Sequence, residues 1–166
     1  GKRLHLVISD GGAGLKAAIQ MVYPQAKHQR CWVHKMRNVV GRLKVKQREG
    51  CMSQLRTVYQ SKNILEARER YRAWAEAWRK EAPEAVACVE KDLEELLSFL
   101  SEPIELAKKL RTTNAIERSF REVRRRTNPM SSFNNRESCE RIIYANFTHQ
   151  NSRWKDHPIP EVTHNT

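Results

Sequence analysis

The sequence predicts an α/β chain that is mostly helical, with a strand–helix–strand unit followed by an all-helical insertion. Three observations carry this. The short β-rich run Leu4-His5-Leu6-Val7-Ile8 is broken by Ser9-Asp10-Gly11-Gly12. From Val33 onward the apolar residues instead recur every three to four positions, the period of a helix with one buried face. The charge balance also shifts within the helical stretch, from strongly basic to near-neutral over 61–110.

Leu4 to Ile8 reads as a buried strand ending in a loop. Leu15, Ala18, Ile19 and Val22 follow at helical spacing, and Pro24 closes that helix. The stretch 26–32 suits a second short strand. Strand, helix and strand within about thirty residues make one parallel α/β unit. Met36, Val39, Val40 and Leu43 then mark a helix that runs into a Lys/Arg-rich stretch ending at Arg48, and Met52, Leu55, Val58 and Tyr59 mark another. Ile64, Ala67, Tyr71, Trp74 and Trp78 repeat until Pro83, and their aromatic stripe reads as a core seam. Val86, Val89, Leu93, Leu96, Leu97 and Leu100 do the same before Pro103. Ile116, Phe120 and Val123 mark a helix ended by Asn128-Pro129, and Ser131 to Asn135 form a polar loop. Cys139, Ile142, Ile143 and Phe147 define a last helix, and the chain from Gln150 reads as a loose tail. The expected division is a frame over 1–45, a helical insertion over 46–110, two closing helices over 111–150 and a tail over 151–166.

The 166 residues carry a net charge of +12. Residues 1–60 hold 12 basic and 2 acidic groups, 61–110 hold 9 and 11, and 111–166 hold 10 and 6. Two basic segments therefore flank a near-neutral one. Such segments favour a polyanion, because Lys and Arg displace counterions from phosphates. Apolar residues make up 39%, enough for a core, so a wholly disordered chain is not expected. No run of about 18 apolar residues spans a membrane, and no leader precedes the first apolar run. The four cysteines form no CxxC pair, which suits a reduced, cytoplasmic protein.

Three groups of residues offer chemistry. Asp10 ends the first strand beside two glycines, at the sheet edge where α/β folds gather ligands and metals. It is either a carboxylate ligand for a hard divalent cation or an aspartate that closes a turn. Asn114-x-x-Glu117 fits a helix capping box. Yet five arginines follow Glu117 within nine positions, and a carboxylate among phosphate-binding arginines also suits metal-dependent phosphoryl transfer. His28, Cys31 and His34 contain a Cys-x-x-His element. A structural zinc site needs four ligands, and nothing downstream supplies a matching pair, so the bland reading is a structural pair.

The order Asp10, Gly14-Leu15, Val22-Tyr23-Pro24-Gln25-Ala26 and Gln29-Arg30-Cys31-Trp32-Val33-His34 resembles the signature of Mutator-type transposases of bacterial insertion sequences. Thr113-Asn114-Ala115-Ile116-Glu117-Arg118 and the arginines after it resemble the segment carrying the last catalytic acid of that family. The resemblance covers roughly residues 1–150. It implies a ribonuclease-H-like (integrase-like) fold and a catalytic triad of Asp, Asp and Glu. Asp10 corresponds to the second acid and Glu117 to the third, both as ligands of a pair of magnesium ions about 4 Å apart. Cys31 and His34 correspond to an architectural Cys-x-x-His element.

The resemblance further implies cleavage at transposon ends and transfer of the freed 3′-hydroxyl to target DNA, by a transposase that acts as a homo-oligomer. Lys35, Arg37, Arg42, Lys44 and Lys46, with Arg118, Arg121, Arg124, Arg125 and Arg126, are the expected phosphate contacts. Only nine residues precede Asp10 and none is acidic. The first catalytic Asp and the amino-terminal DNA-binding region are therefore expected upstream, and the chain reads as the carboxyl-terminal part of a transposase, inactive alone. The competing reading is a catalytically dead, nucleic-acid-binding remnant. A zinc-dependent helical adaptor is a third.

Overall fold

The computed structural model describes residues 4–156. It divides into two compact units, one ending at Thr113 and the other beginning at Asn114. Helices dominate both, and the described residues hold one two-stranded sheet.

The first unit opens with β1 (Leu6–Ser9), α1 (Ala13–Val22) and β2 (Lys27–Arg30). The strands pair in parallel, Leu6 opposite Lys27 and Ser9 opposite Arg30, which is the α/β unit the sequence predicts. Tyr23 closes α1, its N–H donating to the Ile19 carbonyl before Pro24. The strand is not buried as expected. Leu6, Val7 and Ile8 are half-buried, and only Ser9 is fully enclosed. In a two-stranded sheet each strand has one paired side, and α1 contributes a single buried residue, Ile19.

The core lies in the helices. α2 (Trp32–Val40), α3 (Val45–Tyr59), α4 (Ile64–Trp78), α5 (Pro83–Glu90) and α6 (Leu93–Leu97) follow, then a 3₁₀ turn over Ser98–Ser101 and α7 (Ile104–Leu110). Asn63 caps α4 by accepting from the Glu66 N–H at 2.9 Å, and Pro83 takes the first position of α5, where no N–H is needed. The aromatic stripe is a core seam as expected. Tyr71 and Trp74 are buried, and the Trp74 indole donates to the Cys51 carbonyl at 3.1 Å. Trp32, Val39 and Leu43 share one continuous core with Leu55, Val86, Leu96 and Phe99. Packing thus runs straight through the boundary drawn at 45/46. The periodic stretch 86–100 also differs from a single helix. It breaks between α5 and α6 at Asp92, a buried carboxylate turned inward to two cations.

The second unit holds α8 (Asn114–Thr127), a 3₁₀ turn over Asn128–Met130 and α9 (Arg136–Lys155). Asn135 caps α9 through the Ser138 N–H at 2.8 Å, and Phe120 of α8 meets Phe147 of α9 edge-on at 6.4 Å. The tail expected over 151–166 is helical as far as Lys155. Pro158 and Pro160 lie outside the described residues.

Candidate functional site

The carboxyl ends of β1 and β2 carry the first group of candidate residues. Asp10 follows β1 directly and is exposed. Its Oδ1 accepts the Gly12 N–H at 3.1 Å, so the aspartate shapes its own turn while its carboxylate faces solvent. Gly11 has φ of 85°, in the left-handed region. It also lies on the Arg30 side chain, where an added Cβ would sit 2.4 Å from the guanidinium carbon. The left-handed φ is what favours glycine there, and the lack of a Cβ lets the guanidinium lie close.

The residues beside Asp10 are held by side chains from elsewhere in the unit. The Ser9 hydroxyl accepts the Gly11 N–H at 3.1 Å and lies 2.7 Å from His28 Nε2. His28 Nδ1 lies 2.9 Å from Glu95 Oε2, and Lys16 pairs with the other Glu95 oxygen. Burial pushes the Glu95 carboxyl up, but hydrogen bonds from Lys16 and His28 outweigh it and hold the group below the usual carboxylate range. Arg30 Nη1 pairs with Asp92 Oδ1 at 3.1 Å.

Cys31 stands where β2 gives way to α2 and is fully buried. Its N–H donates to the Ser9 carbonyl at 2.8 Å, and its Sγ accepts from the Thr113 N–H and hydroxyl, each at 3.3 Å. The neighbouring Trp32 N–H donates to the Arg111 carbonyl at 3.0 Å. Cys31 therefore ties the end of β1 to the segment that leads into α8. His34, one turn on, is half-buried. Glu117 lies in the first turn of α8 and is half-buried. Arg121 and Arg124 follow it at i+4 and i+7, on the same stripe of the helix.

The basic residues divide. Arg37, Arg42, Lys44 and Lys46 are exposed around the α2–α3 turn, and Arg118, Arg121, Arg124, Arg125 and Arg126 are exposed along α8. Lys35 is a correction. It is 2% exposed, donates to the Cys88 carbonyl at 2.8 Å and pairs with Asp92. It is a core cation and contacts no phosphate in this fold.

The family model described as "Transposase, Mutator family" matches residues 2–157. The chain belongs to the Mutator family of transposases. Among its curated relatives, the transposase for insertion sequence element ISRM5 of Rhizobium meliloti is 37% identical over 155 residues, 93% of this chain and 39% of the relative. The transposase for IST2 of Acidithiobacillus ferrooxidans is 34% identical, over 94% of this chain and 53% of its own length. That for IS406 of Burkholderia multivorans is 36% identical, over 92% and 40%. The chain thus spans about half or less of the length of these insertion-sequence transposases.

Sequence reasoning on this Mutator-family chain singled out His28 only as a neighbour of the Cys-x-x-His element, and missed Ser9, Arg30, Asp92 and Glu95. Asp92 and Glu95 look like ordinary surface acids of a charged helix, and nothing local marks them as partners of residues more than sixty positions away. The error over Lys35 did have a signal. Trp32, Lys35 and Val39 lie at i, i+3 and i+7, so the helical period already placed Lys35 on the buried face. Among the described residues no helix is long and apolar enough to cross a membrane.

Proposed function

We propose that the chain is the carboxyl-terminal part of a cytoplasmic DDE transposase with a ribonuclease-H-like core, which cleaves DNA at transposon ends and joins the freed ends to target DNA. The observation that carries the reading is Asp10. It is an exposed carboxylate on a glycine turn at a strand's carboxyl end, within a family match that covers nearly the whole chain. Asp10 and Glu117 are the acids of this part, and the first Asp comes from the remainder of the transposase.

The donor set fits magnesium. That ion is bound through one or two hard carboxylate oxygens together with substrate phosphates, and Asp10 offers such an oxygen to solvent. Asp10 and Glu117 would hold the two metal ions, which supply activation of the attacking oxygen and stabilisation of the leaving one. The chain's own residues do the rest. Arg121 and Arg124 share the Glu117 stripe and hold the DNA backbone beside that acid, while Arg118, Arg125, Arg126, Arg37, Arg42, Lys44 and Lys46 neutralise flanking phosphates. A homo-oligomer would hold two transposon ends at once.

The test uses the complete transposase. Asp10→Asn and Glu117→Gln should each lower strand cleavage more than about 100-fold, while affinity for the same DNA stays within about twofold. Full cleavage by either variant overturns the assignment. A parent protein that binds DNA and never cuts it supports the dead-remnant reading instead. Replacing Arg121, Arg124 and Arg125 with Ala should flatten the slope of log affinity against log salt by about 2 to 3. An unchanged slope removes these arginines from the interface.

A further inference from the structure

Asp10 has a backbone fixed on both sides and a side chain left open. On one side is Ser9, 4% exposed, whose carbonyl accepts the Cys31 N–H and whose hydroxyl faces His28. On the other is Gly11, whose N–H returns to the Ser9 hydroxyl and whose Cα rests on the Arg30 guanidinium. Each side leads to an acid of the helical block. His28 leads to Glu95, and Arg30 leads to Asp92. The two acids are three residues apart, where α5 passes into α6.

We infer that Glu95 and Asp92 are positioning residues for Asp10, Glu95 acting through His28 and Ser9, and Asp92 through Arg30 and Gly11. The inference rests on the reading of Asp10 as a metal ligand. A carboxylate accepts and never donates, so the His28 nitrogen facing Glu95 carries a proton. With the ring neutral, Nε2 then accepts the Ser9 hydroxyl proton. That leaves the Ser9 oxygen lone pairs for the Gly11 N–H, which fixes the peptide after Asp10. The second arm works by shape. Arg30, tied to Asp92, is a flat floor on which the Cα of Gly11 rests. Asp92 is in turn charge-balanced by the buried Lys35. The carboxylate thus meets a cation with its backbone already ordered, and groups of this kind commonly set metal affinity by about 10- to 100-fold.

The experiment titrates the 166-residue chain with Mn²⁺ and follows paramagnetic broadening of the Gly11 and Gly12 amide signals, with hydrogen exchange of the same amides as a second readout. The parent chain should show broadening that Asp10→Asn removes. Ser9→Ala, Glu95→Ala and Asp92→Asn should each raise the Mn²⁺ midpoint about tenfold and speed exchange at Gly11, with exchange at Leu55 in the helical core unchanged. Glu95→Gln, which still accepts from His28, should recover most of the midpoint. Ser9→Ala keeps the test valid if an acid variant fails to fold, since it removes one hydroxyl and no charge. A Mn²⁺ midpoint within about twofold of the parent in Ser9→Ala and both acid variants overturns the positioning role. Should the parent show no Asp10-dependent broadening, the metal-ligand reading fails by itself. The positioning of the loop then stands if exchange at Gly11 still speeds selectively, and falls if it does not.

Discussion

The two ends of the first unit are held together by different forces. In the helical block, from α2 to α6, Leu55, Val58, Val86, Val89, Leu96 and Leu97 are all fully buried. At the strand end the pattern is inverted. Leu4, Leu15, Met21, Val22 and Tyr23 are exposed, while Ser9 and Gln29 are enclosed. What fixes the strand end is polar. Gln29 donates to the Leu96 carbonyl at 3.0 Å and accepts the Phe99 N–H at 2.7 Å, and the Ser98 hydroxyl donates to the His28 carbonyl at 3.0 Å. With the Glu95 and Asp92 contacts, these bonds run from the strands to one short stretch of the block, 92–99. Burial is non-directional and supplies stability, whereas hydrogen bonds supply orientation. The block therefore serves as a foundation, and the strand end is aligned on it.

The comparison breaks if apolar deletions hurt both ends equally. Leu55→Ala removes a fully buried side chain and should cost about 2–5 kcal/mol in chemical denaturation. Leu15→Ala, at a position 52% exposed on α1, should stay within about 0.5 kcal/mol. Equal losses would mean that the strand end has an apolar core of its own.

Lys35 sharpens the same contrast, because it is a polar anchor inside the apolar block. Lys35→Met leaves Asp92 buried with Arg30 as its remaining cation. The expected cost is about 3 kcal/mol, since removing one member of a buried ion pair strands the other. The salt dependence of DNA binding should not change, as Lys35 reaches no phosphate. A stable Lys35→Met variant with a flatter salt slope would return Lys35 to the DNA-binding set.

What could be read from the sequence follows from this division. Apolar periodicity reports local burial, so the helices, the aromatic seam of Tyr71 and Trp74, and the parallel strand pair were all legible. The family resemblance nominated Asp10 and Glu117 as candidate acids, a role that the experiments above test. The polar alignment was not legible, because a hydrogen bond such as that from His28 to Glu95 joins residues 67 apart and leaves no period in the chain. Lys35 was misread for a related reason. Net charge counts a lysine as a surface cation until its helical face and its distant acid are both considered.

Gln29 tests a neutral anchor. Gln29→Leu keeps the volume and strands the Phe99 N–H, together with one bond to the Leu96 carbonyl, which still accepts from the Trp32 indole at 2.7 Å. The expected cost is about 1–3 kcal/mol, the range for a buried donor left unpaired. Hydrogen exchange should quicken in β1 and β2 before α3 and α4. Uniform loss of protection across the unit would make the two ends one cooperative piece.

The smallest effect expected is a pH dependence confined to the strand end. Glu95 is held below its ordinary range of about 4.3 because Lys16 and His28 bind the carboxylate more than burial opposes it. The folded state therefore prefers the ionised form. Its contribution is fully present above the ordinary value and is lost as pH falls through the lower, folded-state value. Acid titration should thus loosen the amides of Leu6 to Ser9 and Lys27 to Arg30 before those of the helical core. Glu90 is the competing group in the block. The hydrogen bond from Arg79 chiefly holds it low, but the pair is at the surface, where added salt screens it. Raising the salt should remove any Glu90 contribution and leave most of that from the half-buried Glu95. Glu95→Gln, which keeps an acceptor for His28 and has no charge to lose, should flatten the acid limb at the strand end alone. An acid limb that survives Glu95→Gln would place the sensitive group elsewhere.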